Sequence, residues 1–436
     1  MRLRWLLLAS LLAVLVLAAA ACADEEDPAS EVDDTDSAEA DDDHDDHDDH
    51  DHDDHDHGAA PEGAEEVAEP MPRLLVADAT EAQASVIDLV AEESLATLDT
   101  AGPSPLLMPA EHGRHVALIH PDADAVEFVD GGTWAVDHGD HAHYYVSDPA
   151  MLDAGLDIGR PIHHSANAGQ LAVFADATGT VTIVDEAPLD DGELNVAGEI
   201  DTGAAHHGGV AILDEDLVVV SGPEDGQEGG LADEVWLMHD GEQVGTYACP
   251  GLHGELAGDG WAAFACADRI LVVEGHGDHG HEMVIDYPEE LGDGRVGYLA
   301  GHPGSEVMIA ASDDVLVVAD ASSGEATALE LPAPAAARAS VDDDGNGLVL
   351  TDDGALHLVD PEAGEVVASS EERIELDDGD DAPRLSLVGG RDRAYVPDPA
   401  EGLVHEFATN DDLRLARSID VGGQPAGLAY LGALPR

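Results

Sequence analysis

The sequence predicts an all-β fold, a single β-propeller over residues 71–436. Short apolar runs alternate there with turns rich in Gly and Asp, and the pattern repeats about every 45 residues, as propeller blades do. Helical periodicity is nearly absent, which disfavours an α/β fold. A strand–turn–strand unit that ends in Asp is typical of one blade. The units are 116–130, 171–185, 210–221, 261–274, 307–320, 348–360 and 393–407.

The blade count follows from the starts of the innermost strands. The segment from Arg73 has outer strands with no inner strand before it, and the last segment has an inner strand with no outer strands after it. Pairing of the N- and C-terminal strands explains both ends and leaves no exposed sheet edge. We therefore expect eight blades, with seven as the alternative. The inner strands are predicted to begin near Ser104, His163, His206, His253, Arg295, Arg338, Arg384 and Gln424.

Residues 1–21 have the pattern of a signal peptide. Arg2 and Arg4 precede an apolar run over 6–17, and the Ala-Ala-Ala-Cys sequence ending at Cys22 resembles a lipoprotein cleavage site. We expect a lipid anchor at Cys22 on the outer face of the cell membrane. A plain signal peptide is the alternative, and either one places the mature chain outside the cytoplasm.

Residues 22–70 are predicted to form a disordered acidic tether, because they lack periodic apolar positions. Within it, 41–57 contains only Asp and His. Imidazole and carboxylate are ligands for Zn²⁺, Cu²⁺ and Ni²⁺, so this tract favours metal capture. The alternative is an acidic spacer, which Asp alone would provide. The six histidines are His44, His47, His50, His52, His55 and His57.

The formal net charge is −81, from 96 acidic and 15 basic residues, and all 15 basic residues are arginine. Such a chain repels nucleic acid and anionic lipid surfaces, so we expect no nucleic-acid partner and no membrane contact except through the anchor. The acidity also resembles that of proteins adapted to high salt.

Cys249 and Cys266 flank a predicted hairpin that turns at residues 258–260. The hairpin would bring the two thiols nearly opposite each other. Because disulfides persist outside the cytoplasm, we expect a disulfide here rather than two free thiols.

Histidines recur where three successive inner strands begin. In a propeller these positions surround the mouth of the central channel. Three imidazoles from neighbouring blades would provide three ligands of a tetrahedral zinc site, with Glu255 as a candidate fourth. The alternative is that each histidine only bonds a loop carbonyl. The candidates are His163, His164, His206, His207 and His253.

Two loops are alternative candidates for the metal site. His138, His141 and His143 lie in the segment 137–144, and a similar group occupies 276–281. Their H-x-H and H-x-x-H spacings, with an adjacent Asp, allow chelation within a single loop. The alternative for both is a polar surface loop.

Catalytic motifs are hard to find. The sequence contains no GxSxG elbow, no Gly-rich phosphate loop, no lysine for Schiff-base chemistry and no CxxCH haem site. We expect a non-enzyme. Two alternatives stay open: a metal-dependent propeller hydrolase or lactonase with a carboxylate-rich site, and a surface interaction propeller whose tail buffers metal.

The signal peptide, the Asp/His tract, the D-H-G-D-H-A-H-Y segment at 137–144 and the paired histidines of the body together resemble the AztD-type extracytoplasmic zinc metallochaperones. The resemblance implies a β-propeller that binds Zn²⁺ and passes it to the solute-binding protein of a zinc ABC transporter. We expect the protein to be a monomer. The tract would capture zinc and the folded histidines would hold it. Two features depart from the family: the acidity without lysine would alter a docking surface, and an anchor at Cys22 would hold the protein at the membrane.

Overall fold

The computed structural model describes residues 63–138, 141–223, 229–302, 304–376 and 384–432. All of them belong to one compact unit, Ala59–Arg436. Their regular structure consists of strands β1 to β35 and two short 3₁₀ turns, so the all-β class is confirmed. The predicted signal peptide, the predicted lipid anchor at Cys22 and the Asp/His tract lie outside the described residues. In the described part of the chain, no helix is long and apolar enough to cross a membrane.

The strands follow one another along the whole described chain. The first are β1 (Glu65–Val67), β2 (Arg73–Asp78), β3 (Gln83–Asp88), β4 (Glu93–Asp99), β5 (Leu106–Pro109), β6 (His115–His120), β7 (Ala125–Asp130), β8 (Thr133–Asp137), β9 (Ala142–Val146) and β10 (Ala150–Asp157). The next are β11 (Pro161–Asn167), β12 (Gln170–Ala175), β13 (Thr180–Asp185), β14 (Val196–Asp201), β15 (Val210–Asp214), β16 (Leu217–Gly222), β17 (Glu234–His239), β18 (Glu242–Ala248), β19 (Glu255–Gly258), β20 (Trp261–Ala265), β21 (Arg269–His276) and β22 (His279–Asp286). The last are β23 (Ala300–Gly301), β24 (Val307–Ser312), β25 (Val315–Asp320), β26 (Glu325–Glu330), β27 (Ser340–Val341), β28 (Gly347–Leu350), β29 (Leu356–Asp360), β30 (Glu365–Ser369), β31 (Val388–Gly390), β32 (Arg393–Asp398), β33 (Leu403–Ala408), β34 (Arg414–Asp420) and β35 (Pro425–Leu431).

Eight antiparallel sheets of four strands contain all but three of these strands. The first sheet joins the two ends of the described chain: β35 pairs with β2, with Arg73 opposite Leu431 and Val76 opposite Leu428. The other seven are β5-β6-β7-β10, β11 to β14, β15 to β18, β19 to β22, β23 to β26, β27 to β30 and β31 to β34. Each predicted inner-strand start lies within a few residues of an observed one, at Leu106, Pro161, Val210, Glu255, Ala300, Ser340, Val388 and Pro425.

The core lies in layers between successive sheets. The two middle strands of each sheet are apolar on both faces, because a neighbouring sheet covers each face. Phe174 of the third sheet packs with Val210 and Val220 of the fourth, and Phe264 of the fifth packs with Leu213 of the fourth. Leu75 of the first sheet packs with Val116 of the second.

A three-stranded sheet, β1-β9-β8, stands apart from this plan and was not predicted. The β8–β9 hairpin is inserted between β7 and β10, which are neighbours in the second sheet. Strand β1 pairs with β9, with Glu65 opposite Val146 and Val67 opposite Tyr144. The expected disordered tether, 22–70, is therefore wrong for Glu65–Val67. Backbone pairing rather than an apolar pattern forms this strand, so its sequence carries no strand signal.

Candidate metal centre

Three histidines converge at the ends of the third, fourth and fifth sheets. His163 lies on β11, while His207 and His253 come shortly before β15 and β19. One ring nitrogen of each lies within 4.8 Å of one in both others. The ring centroids are 4.7, 5.7 and 5.1 Å apart. Imidazoles bound at about 2 Å to a tetrahedral zinc have centroids about 5 Å apart, so this His163 cluster fits such an ion.

The Nδ1 atom of each imidazole faces a hydrogen-bond acceptor. His163 donates to the Glu255 carboxylate at 2.8 Å, His207 to Asp176 at 2.7 Å and His253 to the Gly297 carbonyl at 2.8 Å. These bonds fix the tautomer with the proton on Nδ1 and leave Nε2 as the metal ligand.

The Nε2 atoms of His163 and His207 lie 3.1 Å apart. With both Nδ1 atoms protonated, two lone pairs would face each other at this distance. A proton or a metal cation between the rings removes that repulsion. A dication would also be balanced in charge, because the carboxylates of Glu255 and Asp176 are the anionic groups bonded to the rings. Both carboxylates are largely buried, with side-chain exposures of 8% and 9%.

The local sequence brings His253 into position. Gly254 has φ 109°, and a Cβ there would lie 2.8 Å from the Gly297 carbonyl that accepts from His253. The amide of His253 donates to Ala265 at 2.9 Å. Next to Ala265, Cys266 forms a disulfide with Cys249, with 5.0 Å between the Cα atoms. The disulfide therefore ties the segment before His253 to the end of β20.

The pKa values of His163 and His253 are shifted in opposite directions. Burial alone would lower the pKa of His163, but the Glu255 carboxylate and Asp176 outweigh it, and this pKa is raised. Burial lowers the pKa of His253, and the positive charge of Arg295 acts in the same direction. A dication therefore competes with a proton more strongly at His163 than at His253.

Not every predicted ligand joins this centre. His206 is 3% exposed, and its Nδ1 donates to the Ala204 carbonyl at 2.8 Å while its Nε2 lies 2.9 Å from the Ser221 hydroxyl. His164 lies outside the cluster, and burial lowers its pKa to about 4. Glu255, a candidate fourth ligand, bonds Nδ1 of His163 through both oxygens and so orients that ring.

The other predicted histidines form a second group on the β8–β9 hairpin. The ring centroids of His138, His141 and His143 lie 5.2, 5.1 and 5.0 Å apart. Nδ1 of His143 donates to Glu66 on β1 at 2.6 Å. The hairpin follows the end of β7, so it lies at the opposite end of the sheets from the His163 cluster. The spacing of this β8–β9 cluster also suits one zinc ion.

Sequence reasoning missed the residues that orient the imidazoles. Asp176 follows a strand and Gly297 lies in a loop. The chain has many Asp and Gly residues in such positions, so neither residue stands out in the sequence. Glu66 lies in the segment that was assigned to the tether. A cleft of about 450 Å³ borders His207 and Asp176 and is also lined by Arg160. Of the three histidines in the cluster, His207 is the one that lines this cleft.

The chain is similar to known proteins in both sequence and fold. The zinc chaperone AztD of Citrobacter koseri is 26% identical over 375 residues, which cover 83% of this chain and 86% of that protein. Its crystal structure has a TM-score of 0.77 and 25% identity and covers 84% of this chain and 100% of that one. The dihydro-heme d1 dehydrogenase NirN (TM-score 0.55, 13% identity, 83% and 75% coverage) shares the fold alone. No family model matches the chain.

Proposed function

We propose that this chain is a zinc chaperone, because its resemblance to the AztD-type family is confirmed by both sequence and fold. The observation that carries the proposal is the convergence of His163, His207 and His253 with their Nδ1 atoms bonded to acceptors. This arrangement favours one Zn²⁺ bound by three neutral imidazoles. Imidazole sites also bind copper and nickel, so the relative's printed activity decides for zinc.

The proposed site suits a cargo metal better than a structural one. A closed site of four thiolates holds zinc as part of the fold, whereas three imidazoles leave the fourth position open. A cleft borders His207 and Asp176, so an incoming ligand can approach the site beside that ring. Protons compete with the metal for each imidazole, which makes release easier on acidification.

The expectation of a non-enzyme agrees with the relative, which is named as a chaperone. The alternative hydrolase or lactonase needs a carboxylate-dominated metal site. In the His163 cluster the carboxylates of Glu255 and Asp176 bond the imidazoles instead. The ligand type therefore favours the chaperone.

We further infer that the eight sheets are the blades of one closed propeller. Eight apolar layers support this inference, one for each successive pair of sheets and one between the eighth sheet and the first. In the last of these layers, Tyr395 and Val404 pack with Leu74 and Leu428. The His163 cluster then lies at one mouth of the central channel, where the inner strands begin.

The remaining steps of the proposal extend the family resemblance. We propose that the Asp/His tract gathers zinc outside the cytoplasm, that Cys22 carries a lipid anchor and that the His163 cluster delivers its ion to the solute-binding protein of a zinc ABC transporter. The β8–β9 cluster is proposed as a second holding point at the other end of the sheets.

The first prediction concerns the His163 cluster. We expect His207→Ala to weaken the tightest zinc site at least 100-fold, because two imidazoles hold the ion far less well than three. The measurement is competition with a chromogenic chelator on the full-length chain with its six tail histidines replaced by Asn. His112→Ala, an exposed histidine outside the cluster, is the control.

Tight binding that survives His207→Ala would contradict the holding site. Loss of all tight binding when only the tail histidines are replaced would favour an interaction propeller with a buffering tail. Transfer is then followed by mixing the loaded protein with the solute-binding protein in excess chelator. Direct transfer requires that zinc reach that partner although the chelator removes free ions.

A further inference from the structure

The β21–β22 hairpin carries a group of metal-ligand side chains that the proposed holding site does not use. A two-residue turn, Gly277 and Asp278, joins the strands, and Gly277 has φ 58°. The last two polar pairs before the turn are His276 opposite His279 and Glu274 opposite His281. We propose that this hairpin is a further site for a divalent transition metal such as Zn²⁺.

The register places all four side chains on one face of the hairpin. Residues two apart on a strand share a face, and residues directly opposite on paired strands share it too. Glu274, His276, His279 and His281 therefore form a compact square. The three ring centroids are 5.9, 5.8 and 5.7 Å apart. Small rotations about the side-chain bonds bring them to the spacing of about 5 Å that a tetrahedral zinc requires.

The glutamate completes the ligand set. An oxygen of Glu274 lies 3.9 Å from Nε2 of His276, so one ion can reach both. Three imidazoles and one carboxylate satisfy the four positions of zinc. The side chains of His276 and Glu274 are about half exposed, at 56% and 46%, and His279 is 63% exposed. An ion can therefore reach the site directly from solvent.

The opposite face of the hairpin is held against the fourth sheet. A Cβ at Gly280 would lie 2.7 Å from the Tyr247 hydroxyl and 2.8 Å from Leu237, and a Cβ at Gly275 would collide with Leu217. Only glycine fits at these two positions. This contact fixes the backbone that carries the four ligands and directs them away from the fourth sheet, so little order has to be gained on binding.

The hairpin site is separate from the His163 cluster. In the fifth sheet Glu255 pairs at one end with Phe264, and Gly258 pairs at the other end with Trp261, which faces Glu274. His253 precedes Glu255 and His276 follows Glu274, so the two sites lie at opposite ends of the sheet, roughly 20 Å apart along the strands. The inference therefore does not depend on the proposed holding site.

The test counts zinc ions on the full-length chain whose six tail histidines are replaced by Asn. We expect the double variant His279→Ala, His281→Ala to lose one zinc equivalent in equilibrium dialysis against ZnCl₂ at micromolar concentration. The control is Glu282→Ala, which removes a carboxylate from the other face of β22 and should keep that equivalent. Co²⁺ added in place of zinc should give tetrahedral absorption bands that the double variant weakens and Glu282→Ala does not.

An unchanged zinc count in the double variant overturns the proposal. An equal loss in Glu282→Ala also overturns it, because general surface charge would then explain the binding. Circular dichroism verifies that each variant is folded. In a third variant, His207→Ala, the hairpin equivalent should remain, so failure of this site and failure of the holding site are distinguishable.

Discussion

One carboxylate, that of Glu255, orients and tunes the His163 imidazole of the His163 cluster. Glu255 bonds Nδ1 of His163, raises its pKa against the effect of burial and directs its Nε2 at His207. A carboxylate hydrogen-bonded to a ligand histidine makes that ligand more basic and fixes its ring. Glu255 should therefore strengthen the metal site and also determine the pH at which protons displace the metal.

We expect Glu255→Gln to weaken zinc binding by about 10–100-fold at pH 7.5, the usual cost of removing such a partner. The sign of the pH effect follows from the pKa of His163. With Glu255 present, protons begin to compete at a pH above the ordinary histidine value. Without it, burial lowers that pKa, so competition begins at lower pH and the difference between the two proteins should narrow on acidification.

Zinc affinity measured by chelator competition between pH 8 and pH 5.5 tests this expectation. Glu242→Gln, an exposed glutamate at the start of β18, is the matched control and should leave the curve unchanged. A constant ratio between Glu255→Gln and the parent across this range would show that Glu255 does not control protonation of the site.

The sequence predicted which histidine positions converge, but it did not predict which member of each pair does so. The recurrence of His at three inner-strand starts could be predicted because it follows from aligning the sequence repeats. The choice of His207 over His206 depends on a Ser221 hydroxyl and an Ala204 carbonyl that engage His206. These partners become neighbours only when the strands pair, so no local pattern reports them.

At the scale of one element, the β19–β20 hairpin connects the disulfide to the metal centre. Cys249 precedes His253 by four residues, and Cys266 follows Ala265, whose carbonyl accepts the His253 amide. Removing the disulfide should therefore loosen both the segment between Cys249 and His253 and the end of β20. The sequence predicted this pair because the turn at 258–260 was readable from its two glycines.

We expect the double variant Cys249→Ser, Cys266→Ser to lose about 3 kcal/mol of unfolding free energy, since it opens a loop of this length. Zinc affinity should fall as well, because the His253 ring must then be ordered on binding. Urea unfolding of the metal-free protein and chelator competition measure the two effects. Reduction of the parent protein is the control and should reproduce both, whereas a loss of stability with unchanged affinity would show that the disulfide does not position His253.

Other elements were beyond the reach of sequence patterns. Strand β1 is polar and short, and it exists because β9 offers a free edge. The β8–β9 hairpin was interpreted as a loop because its histidines interrupt the alternation of apolar and polar residues that indicates a strand. By contrast, the apolar middle strands of seven of the eight sheets were identified, because burial on both faces requires a continuous apolar run. In the fourth sheet the predicted unit 210–221 covers β15 and β16, and the middle strand β17 was missed.

Across the whole molecule, the net charge determines how the stability of the fold depends on salt concentration. The net charge of −81 rests on 96 acidic and 15 basic residues, so most carboxylates repel one another without a cationic partner. The apolar layers between sheets follow the repeat and could be predicted from it. The distribution of carboxylates over the surface follows no repeat, so the sequence alone indicates only the sign and total of the field.

We expect the melting temperature to rise by several degrees as NaCl increases from 0.05 to 1 M. Salt shortens the screening length from more than 10 Å to about 3 Å, which weakens the repulsion between surface carboxylates in the folded chain. Thermal unfolding followed by circular dichroism, with the metal-free protein at pH 7.5, measures the effect. Sucrose at matched osmolality is the control, since it acts by exclusion without screening. A melting temperature that stays flat or falls in NaCl would mean that the acidic surface is already neutralised by bound ions or by contacts between its own groups.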